Sequence, residues 1–186
     1  MVSKALEHHD KVVREAISSN DGYVFSTAGD AFAAAFRTST QAVDAAVSAQ
    51  RALLNASWSD GVRIRVRMGI HTGEAVERGG DYFGSTLNRG ARVMAAGHGG
   101  QILLTATAHD GLDKTRARSV DLGEHTLRDI DGVERIFQVA ADGIGSDFPD
   151  IRTLSDNRSR LPTQRSRLIG RNDDIAAIRS RLLNGR

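Results

Sequence analysis

The sequence contains no cysteine, so neither a disulfide framework nor a thiolate metal site is possible. Aromatic residues make up 5% of the chain, and the predicted strands lack the paired exposed rings on which an RNA-binding sheet stacks its bases. No apolar run approaches the roughly 20 residues needed to cross a bilayer. The opening text, MVSKALEHHD, has no apolar signal-peptide core, so a cytoplasmic location with no membrane partner is expected. No G-x-x-x-x-G-K-[ST] phosphate loop occurs. The histidines at 8, 9, 98, 109 and 125 show no metal-ligand spacing.

What is present fits a globular protein. The 186 residues are 40% hydrophobic and 26% charged, enough for one ordinary domain with a core and some chain to spare. The net charge of +2 conceals an asymmetry. Residues 150–186 hold nine Arg against four Asp, leaving 16 basic and 19 acidic residues in 1–149. The compact part is therefore mildly acidic and the tail basic. Without interleaved aromatics the tail reads as a solvated linker rather than a nucleic-acid site, so nucleic acid is expected only through domains absent from this chain.

Apolar spacing predicts a helix over 3–19, with Leu6, Val13 and Ile17 on one stripe. Tyr23–Ser26 and Phe32–Phe36 read as strands of a hairpin turning through Ala28-Gly29-Asp30. Residues 39–54 predict an alanine-rich helix burying Ala42, Ala45, Ala46, Ala49 and Leu53. Val62–Met68 alternates strictly and predicts a strand, with Glu74–Glu77 as its expected partner. A helix follows over Phe83–Ala96, closed by Gly97, then strands at Ile102–Leu104, Ser119–Leu122 and Arg135–Val139. This order predicts an α+β domain, its mostly antiparallel sheet covered by helices on one face. From Ala140 to about Pro162 the chain turns polar and reads as a linker. Helical spacing returns at Leu168–Leu183.

Three short texts carry chemistry. In VFSTAGDAFAAAF (24–36) a lone carboxylate, Asp30, sits in a tight turn with Gly29 beside it. Carboxylates are the hard ligands that Mg²⁺ and Mn²⁺ prefer, although Asp also suits a turn for its own sake. In DYFGSTLNRGAR (81–92) Asn88 and Arg92 lie four apart, hence on one helical face. An amide and a guanidinium placed so can hold a sugar oxygen and a phosphate together. Asp81 and Ser85 could instead cap the helix, leaving Arg92 solvated. The third text, MGIHTG (68–73), reads as a turn whose glycines permit close backbone packing, with His71 structural.

Taken in order, GYVFSTAGDAFAAAF, VRIRVRMGIHTGEA, GGDYFGSTLNRGARVMAAGHGGQILLT and LRDIDGVERIFQV resemble the class III nucleotidyl cyclase catalytic domain, the adenylyl and guanylyl cyclase family, in its actinobacterial style. The resemblance covers about Leu6 to Val139. It implies a ferredoxin-like cyclase fold and the conversion of a purine nucleoside triphosphate, ATP before GTP, to its 3′,5′-cyclic monophosphate and pyrophosphate. It also implies two Mg²⁺ or Mn²⁺ ions per site and a head-to-tail homodimer, or a heterodimer with another cyclase domain. By position, Asp30 is similar to a metal aspartate, Asn88 to the ribose-orienting residue and Arg92 to the transition-state arginine. Asp81 and Ser26 stand at the base-selecting positions. Aspartate at the first resembles the adenine choice, whereas serine at the second replaces the family's lysine. The phosphate-binding lysine that the resemblance implies near the last strands has no clear match in Leu127-Arg128-Asp129-Ile130-Asp131, where Arg128 could substitute.

The family's first strand, with the other metal aspartate, has no counterpart before the first helix, so this chain alone is expected to be a weak cyclase. The implied organisation is a cyclase homology domain over 1–140, a linker over 141–162 and the start of a further module, resembling the entry to a regulator ATPase, over 163–186. The alternative is a non-catalytic cyclase-homology module that dimerises or senses nucleotide within a multidomain transcriptional regulator.

Overall fold

In a computed structural model of the chain, residues 2–58 and 63–153 are described. They form α1 (Val2–Ser18), β1 (Tyr23–Ala28), β2 (Ala31–Ala35), α2 (Ser39–Asn55), β3 (Met68–Ile70), β4 (Val76–Arg78), β5 (Asp81–Phe83), α3 (Ser85–Ala96), β6 (Ile102–Thr105), α4 (Ala106–Asp110), β7 (Arg118–His125) and β8 (Glu134–Ala140). The α+β class stands as expected. The tail from 154 onward, including Pro162 and the helical spacing at 168–183, lies outside the described residues, as does Val62.

The helix ends follow local chemistry. The Thr38 hydroxyl accepts the Gln41 N–H at the start of α2, satisfying one of the amides that a helix leaves open. The predicted alanine face of α2 is buried together with Leu53. On α1, Val13 and Ile17 are buried, while Leu6 stays partly exposed. These two helices pack with the β1–β2 hairpin around Val13, Ile17, Leu53, Phe32 and Phe36. The hairpin turns through the two residues Gly29 and Asp30, with Ala28 opposite Ala31. Gly29 has φ 61°, the left-handed conformation that such turns demand and glycine adopts freely.

The main sheet has the order β3-β6-β8-β7, with β3 parallel to β6 and the other pairs antiparallel. Successive residues of a strand face opposite sides, and β6 is buried on both. Ile102 and Leu104 join Val43 and Val47 of α2, whereas Leu103 joins Val93 and Ala96 of α3. Helices therefore cover both faces of this sheet, rather than the one face expected.

Three expectations are corrected. The strand read over Val62–Met68 is laddered only from Met68, because its partner β6 begins at Ile102. Before that point Val66 accepts a hydrogen bond from Gly100 in a turn. Glu74–Glu77 does not pair with that strand. Instead β4 and β5 form their own hairpin, with Arg78 opposite Asp81, since the two-residue Gly79-Gly80 turn closes the shortest loop. The helix read from Phe83 starts at Ser85, because Phe83 belongs to β5 and Gly84 precedes the helix at φ 134°.

The segment read as linker from 141 stays on the body as far as 152. Ile151 is 4% exposed, and the Arg152 N–H donates to the Ala96 carbonyl at 2.8 Å. His98 Nε2 donates to the Asp150 carbonyl at 3.0 Å, so this strap ties down the end of α3.

Gly69 controls how closely α3 lies on β3. A Cβ at Gly69 would fall 2.3 Å from the Met94 backbone nitrogen and 2.8 Å from the Gly90 carbonyl oxygen. Neither is a flexible side chain, so the helix itself would have to move. Gly69→Ala is expected to lower unfolding free energy by about 1–3 kcal/mol in urea titration. An unchanged midpoint would show that the close approach is not needed.

Candidate functional site

At the hairpin tip the Asp30 carboxylate is exposed, with no hydrogen bond or ion pair among the described residues. A Cβ at Gly29 would meet nothing within 4 Å, so the tip projects into open space. A hard, unpartnered oxygen donor fits Mg²⁺ or Mn²⁺ as one ligand among phosphate and water oxygens. Ser26, further along β1, is also exposed.

Asp81 opens β5, and its Oδ1 accepts the Tyr82 N–H at 2.9 Å. It does not cap α3, where Gly84 is the N-cap without a side-chain bond. The Phe25 and Tyr82 rings meet edge-on at 5.1 Å between centroids and set β1 beside β5. Ser26 and Asp81, each adjacent in sequence to one of these rings, thus ride on neighbouring strands.

On α3, Val93 is fully buried against the sheet. Asn88 is exposed and Arg92 partly so, one turn apart. The Arg92 Nη2 is 2.6 Å from Asp129 Oδ2, and Arg128 Nε lies 3.6 Å from the same oxygen. No hydrogen bond or ion pair joins Asp30 to Asn88 or Arg92 among the described residues, and Asp30 sits in a separate sheet from the strands beneath α3. Next to Asn88, Arg89 pairs with Glu134, whose side chain is only 10% exposed. Sequence spacing missed Asp129 and Glu134 because they lie 37 and 45 residues from their arginines. The only trace was the charged text Arg128-Asp129-Ile130-Asp131.

His71, half-buried at the end of β3, is held by hydroxyls. Its Nδ1 is 2.9 Å from Thr105 Oγ1 and 3.3 Å from Thr107 Oγ1. Thr107 donates to the Thr72 carbonyl at 2.9 Å, and Ser39 meets the Thr72 hydroxyl at 3.0 Å. Burial lowers the His71 pKa below the ordinary histidine value; the Glu134 charge opposes this shift and the Arg89 charge adds to it.

The model of the adenylate and guanylate cyclase catalytic domain family matches residues 1–140. The chain belongs to that family. It is also 37% identical over 181 residues to an uncharacterised protein of Mycobacterium tuberculosis, covering 94% of this chain and 61% of that one. The chain thus spans about three fifths of that relative's length. Adenylate cyclase from Trypanosoma brucei, solved in its monomeric state, superposes with a TM-score of 0.73 at 25% identity, covering 81% of this chain and 84% of that one. An adenylate/guanylate cyclase/hydrolase from Silicibacter pomeroyi gives a TM-score of 0.64 at 26% identity, covering 76% of this chain and 86% of that one. The cyclase fold implied by the motif order is therefore the fold observed.

His71, held by Thr105 and Thr107, is expected to make the stability of the domain depend on pH. Its depressed pKa means that folding favours the neutral ring. The stabilisation is present above the ordinary value of about 6.5 and is lost as pH falls through the lowered folded value. Between about pH 7.5 and about 5.5, the urea midpoint of the native protein is expected to fall further than that of His71→Gln. Parallel curves for the two proteins would contradict this role.

Proposed function

We propose that this chain is the catalytic unit of a purine nucleotide cyclase that works in intracellular signalling in the cytoplasm. It takes ATP in preference to GTP and forms the 3′,5′-cyclic nucleotide and pyrophosphate in a site shared by two chains packed head to tail. The observation that carries this reading is the outward placement of groups that do not meet one another within one chain. Asp30 stands without a partner among the described residues at a hairpin tip, while Asn88 and Arg92 lie on α3, which packs on the other sheet. A second copy can bring its own α3 to the hairpin of the first.

In the reaction the ribose 3′-hydroxyl oxygen attacks the α-phosphorus and its proton passes to solvent water, while the bond from the α-phosphorus to the oxygen bridging to the β-phosphate breaks, releasing pyrophosphate. Mg²⁺ or Mn²⁺, held in part by Asp30, would activate that 3′-oxygen and neutralise phosphate charge. The Asn88 amide orients the ribose oxygen by hydrogen bonding. The Arg92 guanidinium donates to the phosphate oxygens as negative charge grows on them, which is the placement that lowers a barrier most. The Asp81 carboxylate accepts from the amino group of adenine. The Ser26 hydroxyl can donate or accept, so it adds little discrimination, and the preference for ATP is expected to be partial.

With Asp30 as the one carboxylate proposed for the ions, turnover by the chain alone is expected to be low. Asp30→Ala and Arg92→Ala are each expected to reduce cyclic nucleotide formation from Mn²⁺–ATP by a further 10²-fold or more, the order of effect of one lost transition-state contact. Product formation insensitive to both substitutions would remove the proposed roles. The second reading, a non-catalytic module that dimerises around nucleotide in a larger regulator, is favoured by Ser26 and by the pairing of Arg92 with Asp129. Nucleotide-dependent dimerisation without product would select it.

A further inference from the structure

We propose that Asp129 is a displaceable counter-ion for Arg92. Its carboxylate holds the guanidinium while no nucleotide is bound and yields it to the polyphosphate chain of the substrate. The proposal rests on the reading of Arg92 as a phosphate-facing residue and adds the residue that positions it.

The turn presenting Asp129 is anchored on both sides. Leu127 is 2% exposed in the cluster containing Val93 and Ala96 of α3, and Ile130 packs against the same cluster. The Ile130 N–H reaches the Leu127 carbonyl at 3.4 Å, closing the turn. Asp129 itself has φ 55°, a conformation that L residues other than Asn and Asp seldom adopt. The carboxylate is therefore set opposite Arg92 by backbone packed against the helix that carries Arg92, not by a loose surface side chain.

Exposure decides whether this contact can open. The side chains of Arg92 and Asp129 are 40% and 59% exposed, and ion pairs in such surroundings contribute little net stability. Phosphate can engage a guanidinium through two parallel hydrogen bonds and carries more charge than a carboxylate. Exchange of Asp129 for polyphosphate is then favourable. Arg128, 3.6 Å from the same Asp129 oxygen, would be released in the same step, so two guanidinium groups become available together. The neighbouring Arg89–Glu134 pair differs in kind. Glu134 is largely shielded from water, and leaving a buried charge without its partner is costly, so that pair stays closed.

The test is calorimetric titration of the full chain with inorganic tripolyphosphate at low salt, without metal. It uses Asp129→Asn, Arg92→Ala, the double variant, and Asp131→Asn as a control that removes a nearby charge. Asparagine tolerates the left-handed backbone, so Asp129→Asn should keep its thermal midpoint. Asp129→Asn is expected to tighten binding about two- to fivefold, the scale of an exposed ion pair. That gain should vanish in the Arg92→Ala background and shrink at high salt, while Asp131→Asn should show little of it. If Arg92→Ala weakens binding but Asp129→Asn leaves it unchanged, or weakens it along with the thermal midpoint, Asp129 is structural and the proposal fails while the reading of Arg92 stands. An equal gain from Asp131→Asn would reduce the effect to general charge and also overturn it. Unaltered binding in Arg92→Ala would remove the reading of Arg92, and this proposal with it.

Discussion

The contact on which the rest depends is the seating of α3 on the β3–β6 pair. Gly69 removes the side chain that would hold the helix off, bringing the Met94 and Gly90 backbone against the strand. Val93 and Ala96 then close over Leu103. Because β6 is buried on both faces, α2 and α3 grip the same strand from opposite sides, and α3 has little freedom to rotate. With one side of the helix committed to the sheet, Asn88 and Arg92 can only look outward. The strap through Ile151 and Arg152 fixes the far end of the helix. Rigid placement of this kind is what a site needs if it is to meet developing charge without rearranging.

Polar groups divide into two populations. Those inside are satisfied: no buried side-chain nitrogen or oxygen lacks a partner among the described residues. Gln101 and Gln138 bond one another at 2.7 Å, and His71 sits among hydroxyls. Of the groups proposed for chemistry, Asp30 has no partner among the described residues, and Arg92 holds one in a part-exposed ion pair. Groups kept for a ligand cannot also be committed to the protein. The contrast between Arg89, shut against Glu134, and Arg92, open against Asp129, shows both strategies within one turn of the same helix.

Much of this was legible in the text of the chain. The alanine helix over 39–54, the Gly-Asp hairpin and the Asn88–Arg92 face all follow from spacing and turn chemistry acting within a few residues. The family resemblance followed from the order of four short texts. What escaped was set by tertiary pairing. The alternation over 62–68 looked like a full strand, yet its ladder is cut short where β6 begins. Glu74–Glu77 paired with its own neighbour because a Gly-Gly turn was nearer than β3. The polar stretch after Ala140 read as linker, although buried Ile151 and the hydrogen bonds at Asp150 and Arg152 hold it to the body. Asp129 could not be read locally, since neither its left-handed backbone nor its approach to α3 leaves a periodic mark.

The central claim is that the hairpin tip of one chain and α3 of another enclose the same nucleotide. The absence of cysteine makes a direct test clean. Chains bearing Asp30→Cys are mixed with chains bearing Asn88→Cys in the presence of Mn²⁺–ATP and treated with a short bis-maleimide. The account predicts a covalent heterodimer in the mixture and little crosslinked product from either variant alone. A mixture that stays monomeric, or crosslinks no better than Asp30→Cys by itself, would contradict it.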